Sequence, residues 1–378
     1  MRQRGDLHAL PIFATATITI GLSGYLAAVS ARLAALFIVG LLLGITLYHS
    51  SFGFAGAYRR LILHGELRAI RAQMIMLAVA SLAFAPLLAA GEFGGQMLSG
   101  AYAPVGVPMF FGAFLFGIGM QLAGGCGSGT LYAVGGGSPR MLLVLAAFCG
   151  GGFWASLHLG AWQSLPEWEP VVFGEHFGWG VAASLQAALL GVAAWGLRRN
   201  DCPAPAGKFH LWRGPWPLLA GALLLALLNL ATLLLAGHPW SITWAFTLWG
   251  AKVSQALGWI PAADSFWSQP FQRSALESGI LADVTSIMDI GLMLGAAIAA
   301  LLAGRFAPVW RIPARSLCAA LLGGLAMGYG ARLSYGCNIG AFFSGVASTS
   351  LHGWLWIIAA LMGSWIGVRL RPHFGLAN

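Results

Sequence analysis

The chain has 378 residues, 58% of them hydrophobic and only 8% charged, with a mean hydropathy of +0.79. Water-soluble domains carry about 25% charged residues, so the composition excludes a soluble enzyme or nucleic-acid-binding protein and leaves an all-α polytopic membrane protein. The net charge of +9 then acts on topology, because Lys and Arg accumulate in cytoplasmic loops.

Arg2 and Arg4 precede the first apolar stretch, as in a signal peptide. That stretch is long and leads into further spans, so it is assigned as a first transmembrane helix. Runs of spanning length lie near 9–29, 32–48, 67–90, 107–122, 140–162, 178–197, 216–236, 284–303, 316–332 and 351–370, about nine or ten helices. The segment SLPEWEPVVFGEHFG (164–178) carries three Glu and no Lys or Arg, and is placed outside. The basic stretches LRRNDCPAPAGKFHLWRGPWP (197–217) and AGRFAPVWRIPAR (303–315) are placed in the cytoplasm. Both termini of this multi-pass protein then fall in the cytoplasm. The expected division is an N-terminal repeat (1–197), a cytoplasmic linker (198–215) and a C-terminal repeat (216–378).

The repeat is carried by QLAGGCGSG (121–129) and RLSYGCNIG (332–340). At a spacing of 211 residues, Gly117 matches Gly328, Gly119 matches Gly330, Gly125 matches Gly336, Cys126 matches Cys337 and Gly129 matches Gly340. Further on, Gly152 matches Gly363 and Trp154 matches Trp365. Counting spans, the helix entering Cys126 runs inward and the one entering Cys337 runs outward. That is an inverted repeat, which many transporters use to build a site near the midplane.

Five cysteines, odd in number and scattered, are not a disulfide framework. Cys202 lies in the linker, and Cys149 and Cys318 read as small hydrophobes within spans. Cys126 and Cys337 differ because glycines flank both at matched places. Ser128 and Asn338 are expected to cap short helices after each cysteine, and Ser138-Pro139 to open the next span. Broken helices point free N–H groups and a positive dipole end into the protein, an anion site needing no basic side chain. HSSFGFAGAYRR (49–60) and HPWSITWAFTLWGAK (238–252) break apolar runs at related places, making four breaks directed at one centre.

GAFLFGIGMQLAGGCGSGTLYAVGGGS and GGLAMGYGARLSYGCNIGAFFSGVASTSLHGWLW resemble the two hallmark segments of the YeeE/YedE family, and FGFAGAYRR and DVTSIMDIGLMLGA resemble its other blocks. The resemblance covers about residues 33–370. It implies an hourglass-shaped inner-membrane protein with buried re-entrant Gly-Cys loops that takes up thiosulfate or a related sulfur anion. It also implies a line of cysteine thiols and a small TusA-like sulfur-carrier protein as cytoplasmic partner. Cys126 and Cys337 fall on two of the family's functional cysteines. The third has no match: Gly53 stands about where it is expected, and Ser51 is the nearest polar side chain.

The residues around the thiols complete the candidate path: Gly125, Gly127, Ser128, Gly336 and Asn338, with Gln121 and Arg332 at matched positions one turn before each cysteine. Arg332 reads either as an anion attractor at a pore mouth or as a helix-end anchor. Asp283 and Asp289 are candidates for ion coupling, with a local Thr285–Asp289 hydrogen bond as the competing reading. Trp240, Trp244 and Trp249 read as interfacial belt or packing. No cofactor, metal or nucleic acid is expected. Two other functions stay open: a membrane thiol enzyme acting on S–S or persulfide groups, and transport of a selenium compound or soft metal ion. The first lacks a base beside either cysteine; a metal would want Met and His where this chain has Gly.

Overall fold

The computed structural model describes residues 9–198, 210–263 and 265–377; most of the linker, Cys202 included, lies outside them. Ten helical segments among the described residues are long and apolar enough to cross a bilayer. They start with α1 (Ala9–Val29), α2 (Ala31–Ser50) with its short continuation α3 (Phe54–His64), and α4 (Arg68–Ala90). Then come α5 (Val107–Ala123), α6 (Gly127–Gly135) and α7 (Pro139–Leu157), followed by the short α8 (Leu159–Gln163) and α9 (Phe173–Phe177), and by α10 (Trp179–Leu197).

The second half runs through α11 (Leu218–Ala236), α12 (Thr243–Ala256), α13 (Pro270–Glu277) and α14 (Val284–Leu302). It closes with α15 (Ala314–Leu333), a π-helix (Asn338–Phe343), α16 (Ser344–Ala347) and α17 (Leu351–Leu370). Two-residue strand pairs, β1 (Glu92–Phe93) with β2 (Gln96–Met97) and β3 (Val105–Gly106) with β4 (Glu167–Trp168), tie loops together at one end of the bundle.

The packing follows a pseudo-twofold rule. α14 packs on α2 as α4 packs on α11; α7 packs on α15 as α17 packs on α5. Likewise α6 packs on α14 as α16 packs on α4, and α12 on α7 as α3 on α17. The pairs α5–α15 and α2–α11 are their own counterparts and straddle the axis. β3, which opens α5, is paired to the acidic loop at Glu167, and Tyr335, just past the end of α15, is hydrogen-bonded to Glu167 at 3.4 Å. So α5 begins where α15 ends, and the two units are antiparallel.

Glycine makes these crossings close. Gly112 and Gly119 of α5 lie directly against the backbones of Gly330 and Gly323 of α15, where a β-carbon would collide. Small residues let apolar helices approach in this way and gain dispersion contact.

One register differs from the sequence reading. Gly363 packs on the carbonyl of Phe114, but the residue packing equivalently on Leu325 is Gly151, not Gly152. Gly152 instead faces Thr247. The cause is the π-helix after Cys337: Phe342 N–H bonds to the Cys337 carbonyl five residues back, whereas in α6 Thr130 N–H bonds to the Cys126 carbonyl four back. A π turn inserts one residue, so the repeat spacing is 211 before it and 212 after it.

Residues 257–283, joining α12 to α14, have no equivalent in the first half, where α3 and α4 are joined by three residues. Trp267 anchors this segment: it is 1% exposed and donates to Ser156 Oγ at 2.8 Å. Lys252 Nζ donates to the carbonyls of Leu276 and Ser278 at 2.9 and 2.5 Å.

Candidate functional site

Each Gly-Cys break is made by a positive backbone φ two residues before the cysteine. Gly124 has φ +85° and its counterpart Tyr335 +60°, a conformation costly for a side-chain-bearing residue. The cysteines themselves are the N-caps, a correction to the expected Ser128 and Asn338 caps. Ser128 sits one residue inside α6 with its Oγ 3.4 Å from Cys126 Sγ, and Cys337 Sγ accepts from Ile339 N–H at 3.4 Å. Ser138 is the N-cap of α7 with Pro139 first in the helix, as expected.

The two breaks meet. A β-carbon placed on Gly127 would lie 3.2 Å from Cys337 Sγ, so the start of α6 rests on the opposite thiol with no side chain between. Both sulfurs are buried and free. Gly125 and Gly336 hold the tight approach: a side chain on Gly336, at φ +155°, would strike the backbone of Ala341.

The other two breaks close around this centre. Gly53, in extended backbone at φ −120° and ψ 120°, faces the Tyr132 hydroxyl of α6. Ser241 faces Gly340, and Ile242 touches the Gly127 position. Asn338 Nδ2 donates to Tyr58 Oη at 3.2 Å, and Gln121 Nε2 to the Ala55 carbonyl at 3.0 Å. Ser344 Oγ donates to the Trp240 carbonyl at 2.8 Å and receives Asn229 Nδ2 at 3.2 Å. Ser51 is not brought in: it is the exposed C-cap of α2, at φ 49°.

Five residues carry buried side-chain polar atoms without a partner among the described residues: Gln121 Oε1, Trp240 Nε1, both Asp289 oxygens, Arg332 Nε and Asn338 Oδ1. An orphaned buried polar group costs about 1–3 kcal/mol, and in native folds such a group is ordinarily met by protein, ordered water or a ligand. Of the two readings the sequence left for Trp240, interfacial belt or packing, the structure gives the buried one: Trp240 is wholly buried in the 238–252 break.

Arg332 lines a cavity of about 700 Å³ together with Ser156, His158, Gln163, Gln269 and Gln272. Its guanidinium sits 4.4 Å from the centre of the Phe266 ring, a cation–π contact that fixes the charge without neutralising it. Further along the chain, Ser334, Gly336, Cys337 and Asn338 are all buried. Asp283 is a helix cap: it accepts from Ser286 N–H at 2.8 Å and Trp244 Nε1 at 2.9 Å.

The sequence that carries these breaks is matched by a family of known proteins. The family model described as sulphur transport matches residues 49–366. The chain belongs to the sulphur transport family. It is 30% identical over 352 residues to the thiosulfate transporter TsuA of Spirochaeta thermophila, covering 87% of this chain and 96% of that protein. It is 25% identical over 358 residues to TsuA of Escherichia coli K12, covering 89% and 94%. The probable transporter YedE of Escherichia coli K12 is 37% identical over 144 residues, which is 37% of this chain. That match spans only about a third (34%) of YedE's own length. Within the family the chain is a multi-pass membrane protein of the transporter type.

Proposed function

We propose that this chain takes up thiosulfate or a closely related sulfur anion across the bacterial inner membrane. The observation that carries the reading is the contact of Gly127 with Cys337 Sγ, which brings two helix N-termini and two thiols to one buried point. Amide N–H groups in the first turn of a helix have no intrahelical acceptor and face an anion without binding it as tightly as a fixed cation. A neutral thiol is a weak donor, suited to a soft sulfur terminus that must also leave, since conduction needs sites that bind and release. The relatives named thiosulfate transporters support the same substrate.

The proposed path enters by the polar cavity, where Arg332 gathers anions. It passes Cys337 and Cys126 with the Trp240 indole N–H and Ser128 as further donors, and leaves between Gly53 and Tyr132. Residues 1–197 and 216–378 act as the two repeats, joined by the linker 198–215. Both termini are assigned to the cytoplasm by the basic loops, where a TusA-like carrier would receive the sulfur. Uptake of labelled thiosulfate, sulfite and selenite by cells expressing the chain tests this. Thiosulfate uptake abolished by Cys337→Ala is expected; uptake unaffected by Cys337→Ala and Cys126→Ala would remove the thiol path.

A further inference from the structure

α14 carries two carboxyls in opposite surroundings. Asp283 at its start is fully hydrogen-bonded, as described above. Asp289, six residues and roughly 9 Å further along the helix, is 0% exposed and has no partner on either oxygen. The Thr285 hydrogen bond that the four-residue spacing allows is therefore not made.

The faces of α14 show where Asp289 points. Met288, Gly291, Leu292 and Gly295 form the stripe packed on α2. Ser286, Asp289 and Met293 lie on another face at helical spacing. Ser286 Oγ receives the Trp249 indole N–H of α12 at 2.9 Å, and the Met293 backbone abuts Gly135 of α6. Asp289 thus faces the elements that frame the thiol pair, within electrostatic range of Cys337 and of Cys149 on α7.

The Lys and Arg side chains on α2 and α12, which pack against α14, are engaged elsewhere. Lys252 of α12 is held by two carbonyls, Arg32 of α2 donates to the Ala236 carbonyl at 2.9 Å, and Tyr132 of α6 faces Gly53. Asp283, the nearest other acid, is committed to its cap. No Lys, Arg or His among the described residues pairs with Asp289. A bare carboxylate in such a place is unsolvated and costly, so the side chain holds a proton at rest. An anion arriving at the thiols strengthens that hold, and by the reciprocity of linkage the protonated side chain favours the anion.

We propose that Asp289 is a proton-binding group coupled to the anion at the thiol pair, so that uptake is proton-linked. This rests on the transport reading above. The proton that Asp289 holds at rest is drawn from the outer side before the anion enters and stays while the anion is bound. It is released to the inner side once the anion has left and water reaches the carboxyl; the side chain is then reprotonated from the outer side. No covalent bond forms, and one proton accompanies each turn.

The test uses the full chain in liposomes, comparing wild type with Asp289→Asn for thiosulfate uptake with an inward proton gradient and after a protonophore collapses it. The gradient is expected to speed wild-type uptake by about fivefold or more, with thiosulfate-dependent acidification reported by a trapped pH dye. Asp289→Asn is expected to keep gradient-independent uptake and lose both responses; Cys126, Cys149 and Cys337 are present in both proteins, so their titration cannot produce the difference. Wild-type uptake indifferent to the gradient, or an Asn variant that responds like wild type, would overturn the proposal. Should Asp289→Asn fail to fold, the wild-type dye signal alone decides, and its absence during uptake overturns the proposal. A wild type with no uptake under any condition removes the transport reading, and this proposal with it.

Discussion

Gly127 rests on Cys337: a β-carbon at residue 127 would stand 3.2 Å from the sulfur. The first residue of one short helix is thus the lid of the thiol belonging to the other repeat. Gly127→Ala adds one methyl at a distance the thiol can yield to by rotation, and should keep most uptake. Gly127→Val adds branches with nowhere to go, an overpacking that typically costs about 1–3 kcal/mol. Uptake by Gly127→Val should fall at least tenfold while the protein still elutes as a folded species in detergent. Full uptake by Gly127→Val would mean the anion does not pass between α6 and Cys337.

Gly53 has extended backbone that any residue can adopt, and a side chain there would point at Tyr132: its β-carbon would stand 3.2 Å from the hydroxyl oxygen. Gly53→Cys should therefore fold and shift preference among sulfur anions by placing a third thiol on the exit. Gly53→Trp should block uptake, and pairing it with Tyr132→Ala should restore part by clearing the facing side chain. Competition assays with sulfite and thiosulfate read the first effect; normal uptake by Gly53→Trp would show this break to be packing.

Arg332 lines the polar cavity and lies five residues before Cys337 in the chain. Arg332→Gln should raise the half-saturating thiosulfate concentration about tenfold with a smaller change in maximal rate, because the charge concentrates anions before the thiols are reached. Arg332→Lys should retain most affinity, although a lysine cannot reproduce the flat contact with Phe266. Raising the ionic strength should weaken wild-type affinity more than that of Arg332→Gln. Equal salt dependence in the two proteins would assign Arg332 to helix anchoring.

Asp283 caps α14 through the Ser286 amide and also holds the Trp244 indole. Asp283→Ala should lower the thermal stability of the purified protein by about 1 kcal/mol and leave the anion selectivity unchanged. A change in selectivity without loss of stability would reassign Asp283 to the path.

Much of this architecture was legible in the sequence because a bilayer imposes length and apolarity on every span. The ten spans, the matched Gly-Cys segments and the four converging breaks all left such marks. What escaped were matters of a single residue or a single rotation. Gly152 and Gly363 align by letter, yet Gly151 holds the equivalent contact, since a π turn leaves no compositional trace. Ser128 and Asn338 have good capping chemistry, but the positive φ at Gly124 and Tyr335 starts each helix earlier, at the cysteine. Asp283 and Asp289 read alike as acids near a span; only the third dimension separates the bonded one from the bare one. Ser51 was misjudged for a related reason: whether a break turns a side chain outward or inward depends on its own dihedral angles.

The π-helix after Cys337 bears on more than alignment. A path built from two identical inverted halves would look the same from either side of the membrane, and both mouths would hold the anion equally well. The added residue lets the segment after Cys337 coil more widely than its counterpart after Cys126, and it rotates α17 relative to α7 by one register. The two approaches to the thiols are therefore distinct environments. A substitution that tightens one mouth need not tighten the other, and the ratio of the two affinities is free to be set by a few residues on one side alone.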